Sequence, residues 1–114
     1  EVITVQTDEL LRELTYLKEC IGSCMFPYVR FAGQELSMNV PSGHFMTRVS
    51  MAGRGDLAIG FNLRYMLDAL KQFKDAPEIR VKLSGIFSPI VIEAEGRDDF
   101  ALVLPVRLKE EMAA

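Results

Sequence analysis

The sequence predicts an α+β domain in which two β-α-β-β-β repeats place two helices against antiparallel sheets. The same order of elements occurs twice along the 114 residues. Glycine- and proline-containing turns separate the predicted strands, as antiparallel neighbours require. The apolar faces of the two helices also superpose at an offset of 56 residues (66 minus 10), which places Leu10, Leu11, Leu14 and Leu17 on Met66, Leu67, Leu70 and Phe73.

The first repeat begins with a β-branched run, Val2–Gln6, which predicts a strand. Thr7-Asp8-Glu9 then supplies a helix cap and an acidic first turn. Helical spacing gives the following segment one apolar face, and Gly22-Ser23 ends it. Alternating apolar and polar residues predict three strands after this helix, at Tyr28–Ala32, Leu36–Val40 and Phe45–Met51.

The second repeat begins with a predicted strand at Leu57–Phe61, after a hairpin turn at Gly53-Arg54-Gly55-Asp56. Asn62 is a favourable cap for the second helix, and Pro77 stops that helix. Three more strands follow at Glu78–Ser84, Pro89–Glu95 and Phe100–Leu108. We expect residues 1–114 to form one domain with a loose tail over residues 109–114.

Composition excludes several classes of protein. Hydrophobic residues make up 49% of the chain and charged residues 25%, as in ordinary globular domains. A net charge of −3 argues against a protein that grips nucleic acid tightly. No apolar run approaches the ~18 residues of a membrane span, so no membrane association is expected. Because the chain does not start with Met, we expect an excised or processed piece.

Few residues could perform chemistry. Cys20 and Cys24 share a helical spacing, but zinc needs about four ligands and His44 is the one histidine. We therefore expect no metal, two reduced thiols and a cytoplasmic location. His44 has no nucleophilic partner in the sequence, and no glycine-rich phosphate-binding loop is present. These features predict no catalytic residues and no cofactor.

Three segments of the second half resemble a known family. Ile59–Leu70, with the letters IGFNLRYMLDAL, is similar to a stretch of bacterial DNA polymerase III β subunits, the sliding clamps. The strands at Val81–Ser84 and Ser88–Ile92 resemble the pair that follows in that family. The ending Leu102–Leu108, with the letters LVLPVRL, resembles its C-terminal signature. The order and spacing indicate the third, C-terminal domain of a clamp.

The resemblance implies a DNA-clamp (processivity-factor) fold and a non-catalytic function. In the family, two chains of three domains each close head to tail into a ring around duplex DNA. It implies that the full-length protein is a homodimer that tethers the catalytic subunit of DNA polymerase III. The clamp loader and repair polymerases would bind it through linear peptides in the same way. A free-standing peptide-binding module that uses the clamp fold without encircling DNA is the alternative.

The resemblance also assigns residues to three sites. The partner-peptide site would comprise Tyr65, Pro89, Leu102, Val103, Leu104, Pro105, Val106 and Arg107. The residues facing DNA would be Arg64, Lys71 and Lys74, and the ring interface would include Cys20 and Ile21. Each set has a plainer interpretation. Tyr65 and half of the C-terminal strand could be core, and the basic residues could be solvated helix surface.

Overall fold

The computed structural model describes residues 1–53 and 58–107, which form one α+β body. Its two helices are α1 (Thr7–Ile21) and α2 (Leu63–Lys71). The strands of the first repeat are β1 (Val2–Gln6), β2 (Tyr28–Ala32), β3 (Glu35–Val40), β4 (Gly43–Arg48) and β5 (Met51–Ala52). Those of the second are β6 (Ile59–Asn62), β7 (Glu78–Lys82), β8 (Ile90–Glu93), β9 (Phe100–Val103) and β10 (Pro105–Val106).

Two antiparallel sheets are related by the repeat. Sheet A has the strand order β5-β1-β7-β8-β9, and sheet B has the order β10-β6-β2-β3-β4. Exchanging each strand for its equivalent in the other repeat converts one order into the other. Each sheet therefore takes strands from both repeats, and neither repeat could form its sheet alone. The predicted duplication and the α+β class are confirmed.

The predicted strand count is wrong because two predicted strands each divide between the sheets. Phe45–Met51 becomes β4 in sheet B and β5 in sheet A, and Val49 between them is buried. The described part of the predicted strand Phe100–Leu108, residues 100–107, becomes β9 in sheet A and β10 in sheet B. Both segments lie at equivalent positions in the two repeats. The alternation of apolar and polar residues continues through Val49 in the first segment, and the second is apolar from Phe100 to Val106, so neither gives a sign that the chain changes sheet.

The helix starts differ from the prediction in the first repeat. Gln6, not Thr7, precedes α1, and its side chain makes no capping hydrogen bond. Thr7 is fully buried, and its hydroxyl group has no hydrogen-bond partner among the described residues. Asn62 caps α2 as predicted, because its Oδ1 accepts from the backbone N–H groups of Arg64 at 2.9 Å and Tyr65 at 3.3 Å. Helix α2 ends at Lys71, well before Pro77.

The first N–H group of each helix is bound by the other repeat. The Thr7 N–H donates to the Pro77 carbonyl oxygen at 3.1 Å, and the Leu63 N–H donates to the Pro27 carbonyl oxygen at 2.8 Å. Thr7 and Leu63 are again 56 residues apart (63 minus 7). These bonds satisfy two of the N–H groups that a helix start leaves free. They also anchor each helix start to the other repeat.

One continuous core joins the helices to both sheets. The inward side chains of β1 and β6 are buried, as are the predicted apolar faces of the two helices apart from Leu11, which is half-buried. Leu14 and Leu70, equivalent positions on the two helices, are both fully buried. Neither described helix is long and apolar enough to cross a membrane. Residues 54–57 and 108–114, which include most of the predicted hairpin turn and the predicted tail, lie outside the described residues.

Candidate functional site

The C-terminal run crosses from one sheet to the other beside α2. Strand β9 is the edge of sheet A and pairs with β8, and β10 is the edge of sheet B and pairs with β6. Helix α2 packs against β9. Leu104 connects the two strands. Pro105 lies opposite Phe61, and Phe61 precedes Tyr65 by four residues in the chain. The fold thus brings the start of α2 to the C-terminal run.

Three large apolar side chains are exposed at this junction. Tyr65 is 67% exposed, Leu102 is 56% exposed and Leu104 is 72% exposed. The Tyr65 backbone N–H donates to the capping Asn62 Oδ1, which holds the Tyr65 backbone in place. Leu102 lies beside Val91 on the outer face of sheet A. We call Tyr65, Leu102 and Leu104 the docking surface. Their exposure excludes the interpretation of these three side chains as core.

The other residues of the predicted peptide site are placed differently. The side chain of Val103 is only 3% exposed and belongs to the core, so it is not available to a partner. Pro105 and Val106 are half-buried, and Arg107 is exposed. Pro89 is exposed just before β8, and Ile90 pairs with Val103, so Pro89 lies near the end of the same ladder. Strand alternation explains why Leu102 faces outward and Val103 inward.

Two exposed apolar side chains next to this run were not predicted from the sequence. Ile86 is 51% exposed and Phe87 is 75% exposed, in the connection that leads to Pro89. Neither belongs to an alternating or helical pattern, and Gly85 precedes them. A pair of large apolar residues in a turn-forming segment is the signal that could have indicated them.

The three predicted DNA-facing residues are all exposed, but they are not equally available. Arg64 donates through Nη2 to the Cys24 carbonyl oxygen at 3.0 Å, which ties the start of α2 to the loop after α1. Lys71 Nζ lies 3.8 Å from Asp68 Oδ1, one helical turn away. Lys74 follows the helix and makes no ion pair within residues 1–53 and 58–107. The resulting surface has mixed charge, and exposed pairs of this kind contribute little stability.

The residues predicted at the ring interface lie at the end of α1. Ile21 is its last residue and is buried, whereas Cys20 is partly exposed. A hydrogen bond with the Cys20 thiol raises the pKa of Tyr16, one turn earlier. Cys20 and Cys24 are both free thiols. Among the described residues, no group of three or more His, Cys, Asp or Glu side chains is arranged to hold a metal ion.

A cavity of about 620 Å³, here called the α1 cavity, lies between the end of α1 and the turn from β3 to β4. It does not coincide with the docking surface. Of the predicted site residues, only Ile21 and Arg107 line it. Its lining is mainly apolar and includes Met25, Phe26 and Val40. The sequence analysis missed Met25 and Phe26, which are 83% and 63% exposed in the loop after α1.

Comparison with known proteins agrees with this architecture. The family model described as "DNA polymerase III beta subunit, C-terminal domain" matches residues 43–107, more than half of the chain. A beta sliding clamp from Staphylococcus aureus is 41% identical over 54 residues, which cover 46% of this chain and 14% of the relative. The chain therefore corresponds to a small part of that relative.

Solved structures match over nearly the whole chain. The DNA polymerase III beta subunit from Thermotoga maritima superposes with a TM-score of 0.77 at 25% identity, covering 95% of this chain and 31% of that one. A Bartonella birtlesii sliding clamp bound to griselimycin gives a TM-score of 0.81 at 22% identity, covering 94% of this chain and 30% of that one. At 22% identity, the similarity to the Bartonella birtlesii clamp shows only that the two proteins share a fold. The family match over residues 43–107 shows that the chain belongs to the C-terminal domain family of the DNA polymerase III beta subunit.

Proposed function

We propose that this chain is the third domain of a ring-shaped sliding clamp, and that its docking surface binds short peptides of replication and repair proteins. The observation that supports the proposal best is the exposure of Tyr65, Leu102 and Leu104 at one junction of α2, β9 and β10. Monomeric proteins rarely leave large apolar side chains clustered at the surface unless something binds them. The matched family segment includes all three residues.

The chemistry of this surface suits an extended peptide. A peptide of this kind needs pockets or patches for its apolar side chains and open backbone groups for pairing. Strand β9 is an edge strand, so the outer N–H and C=O groups of Phe100–Val103 are not used within sheet A. Arg107 offers a guanidinium for a carboxylate at the end of the same run. Peptides from the replicative polymerase, the clamp loader and repair polymerases are the proposed partners.

The ring itself is part of the proposal. Two copies of a three-domain protein would encircle duplex DNA as a homodimer in the cytoplasm, with Cys20 and Ile21 at the seam. Lys74, together with Arg64 and Lys71, would face the DNA. A surface of mixed charge would let a ring slide, since many unopposed phosphate contacts would hold it in place. The function is a tether without catalysis.

Griselimycin is the probe for the docking surface, because it is bound by a clamp of the same fold. We expect its addition to the isotope-labelled chain to shift the NMR signals of Tyr65, Leu102 and Leu104. Binding should be weak, since the resemblance implies that a second domain of the clamp completes the pocket. Replacing the exposed ring in Tyr65→Ala should lower the affinity at least tenfold, as for a central aromatic contact.

The matched control is Tyr16→Ala, which removes a tyrosine that is 49% exposed on α1. It should leave griselimycin binding unchanged. If millimolar griselimycin shifts none of the three signals, or if both alanine variants lose affinity equally, the docking surface is not the binding site.

A further inference from the structure

The central strands of the two sheets carry an arginine at the same position. Strand β7 is the third of five strands in sheet A, and β2 is the third of five in sheet B. Arg80 is the third residue of β7, and Arg30 is the third residue of β2. The residues on either side of each arginine are buried, so both arginines lie on the outer face of their sheet.

The neighbours of these two arginines differ. Arg80 pairs in register with Glu93 of β8, and its Nε donates to Glu93 Oε1 at 3.3 Å. In sheet B, the residue that pairs with Arg30 on β3 is Ser37, which has no charge. On the other side, Arg30 pairs with Gly60 of β6, which has no side chain. Sheet B therefore lacks the acid that sheet A supplies to its central arginine.

The Arg30 guanidinium is left without a partner. Its Nε is completely covered and has no hydrogen-bond acceptor among the described residues. Within residues 1–53 and 58–107, the guanidinium forms no hydrogen bond or ion pair, and its two other nitrogens are not covered in this way. Covering an N–H group of a charged side chain without an acceptor is unfavourable. Since Arg30 is only half-buried, an acceptor can approach it from the outer face of sheet B.

The charges on that outer face are not balanced. Glu35 of β3 and Arg48 of β4 lie 3.5 Å apart and cancel each other. With His44 neutral at pH 7, Arg30 is the one charge on the described strands of sheet B that no acid on this face offsets. On the outer face of sheet A, by contrast, the outward residues of β7 and β8 include two cations and two acids. The missing charge is thus a single negative one.

The surroundings of Arg30 favour an acid that belongs to a larger partner. An exposed ion pair with a free carboxylate contributes little, because water and salt screen it. Beside Ser37, however, β4 places Met46, whose side chain is 52% exposed. A partner segment that covers Met46 would exclude water from the guanidinium, and a pair between Arg30 and a carboxylate is stronger without water.

We propose that Arg30 anchors an acidic side chain of a partner protein whose extended segment lies across the outer face of sheet B. The carboxylate takes the place beside Arg30 that Glu93 occupies beside Arg80, and the Ser37 hydroxyl donates a further hydrogen bond to it. This contact goes beyond the proposed function. The docking surface lies at the junction of α2, β9 and β10, and the proposed ring seam lies at the end of α1.

The probe is the extended peptide acetyl-Val-Glu-Val-amide, and its matched neutral form is acetyl-Val-Gln-Val-amide. NMR of the isotope-labelled chain follows the Arg30 Nε–H signal and the Met46 methyl signal. We expect both signals to shift with millimolar peptide, and the Glu peptide to bind about tenfold more tightly, since charge-assisted hydrogen bonds are about twice as strong as neutral ones. Sodium acetate at the same concentration should shift them much less, because it covers no apolar surface.

Three substitutions locate the contact. Ser37→Glu places an acid where sheet A has Glu93, so it should give Arg30 an internal partner and remove the preference for the Glu peptide. Ser37→Gln, which has the same size but no charge, is the control and should keep the preference. Arg30→Gln should remove it. Ser37 and Arg30 are half-buried on the outer face of the sheet, so we expect all three variants to fold, as circular dichroism would verify.

Several results would overturn the proposal. One is equal affinity of the unmodified chain for the two peptides, and another is a preference that survives Arg30→Gln or Ser37→Glu. Loss of the preference in Tyr65→Ala would place the peptide at the docking surface instead. Equal affinity for acetate and the Glu peptide would mean that Arg30 binds free carboxylates and not a partner segment. Griselimycin binding depends on none of these results, so the two proposals can fail separately.

Discussion

The two repeats have the same strand order, but polar contacts hold their helices at opposite ends. They lie in the first half of α1 in the first repeat and at the end of α2 in the second. In the first repeat, Glu9 accepts from the Ser50 N–H at 3.1 Å, and Glu13 accepts from the Thr47 hydroxyl. Both bonds tie the first half of α1 to the far end of β4. In the second repeat, Arg97 and Asp99 bind Gln72 at the last turn of α2.

The spaces at the ends of the two helices differ as well. At the end of α2, the Arg97 guanidinium covers the Phe73 ring, but a space of about 420 Å³ that is lined by Arg97 and by acidic side chains stays open beside it. No such contact reaches the turn from β3 to β4 within the described residues, and the α1 cavity lies at that position. The two helix ends therefore differ in lining, which is mainly apolar in the first repeat and rich in acidic side chains in the second. The apolar core is what the two repeats share.

The largest expected effect tests that shared core. Leu14→Ala and Leu70→Ala truncate equivalent leucines that are both fully buried. Each should lower the free energy of unfolding by about 2–5 kcal/mol, through lost apolar burial and an unfilled cavity. Chemical denaturation followed by circular dichroism measures both values.

Similar losses from the two leucine variants would mean that the repeats contribute equally to stability. If one variant loses less than about 1 kcal/mol, the two repeats do not contribute equally. That repeat would then relax to fill the space that the truncated leucine leaves. Thr15→Ala, an exposed change on α1, is the control for helix substitution and should be nearly neutral.

The helix caps should give a smaller and unequal effect. Asn62→Ala removes the side chain that accepts from two backbone N–H groups, and it should cost about 1 kcal/mol. Gln6→Ala, at the equivalent position before α1, should cost much less because Gln6 makes no capping bond. Thermal unfolding of both variants measures the difference. Equal losses would contradict the inferred asymmetry of the two helix starts.

The smallest effect concerns pH and the contacts at the end of α2. Hydrogen bonds from Arg97 and Gln72 lower the pKa of Asp99 from 3.8 to about 2. A carboxylate with a lowered pKa stabilises the fold fully above pH 3.8, and this stability is lost as the pH falls through about 2. Melting temperatures between about pH 5 and about pH 2 should therefore fall more steeply for the unmodified chain than for Asp99→Asn.

The neighbouring acid provides the control for that measurement. Asp98→Asn changes the same charge at an exposed residue that makes no polar contact with the described part of the chain. Its melting curve should follow that of the unmodified chain. If the melting curve of Asp99→Asn also follows that of the unmodified chain, the contacts of Arg97 and Asp99 do not stabilise the second repeat. The two hairpin turns then differ in geometry but not in their contribution to stability.

Much of the fold was predictable because local patterns repeat along the chain. The offset of 56 residues (66 minus 10) identified equivalent helix positions that are buried in both repeats, such as Leu14 and Leu70. Alternation identified most strands, and Asn62 identified a helix start. The sheet change near Val49 was not predictable, because a buried residue looks the same whichever sheet follows it. Thr7 was misassigned because a threonine before two acids is typical of a cap.

At the candidate functional site, too, sequence and tertiary structure determine different properties. Similarity of the C-terminal run selected the segment that carries the proposed docking surface, but only the pairing of β9 with β8 decides that Leu102 faces outward while Val103 is core. Leu104, between β9 and β10, is exposed. The sequence alone determined the class of the fold, its duplication and the family, since these depend on local pattern and residue identity. Tertiary structure decided which apolar residues are exposed and where the molecule is open. Those properties depend on contacts between distant segments, such as Arg97 with Phe73, that no local pattern encodes.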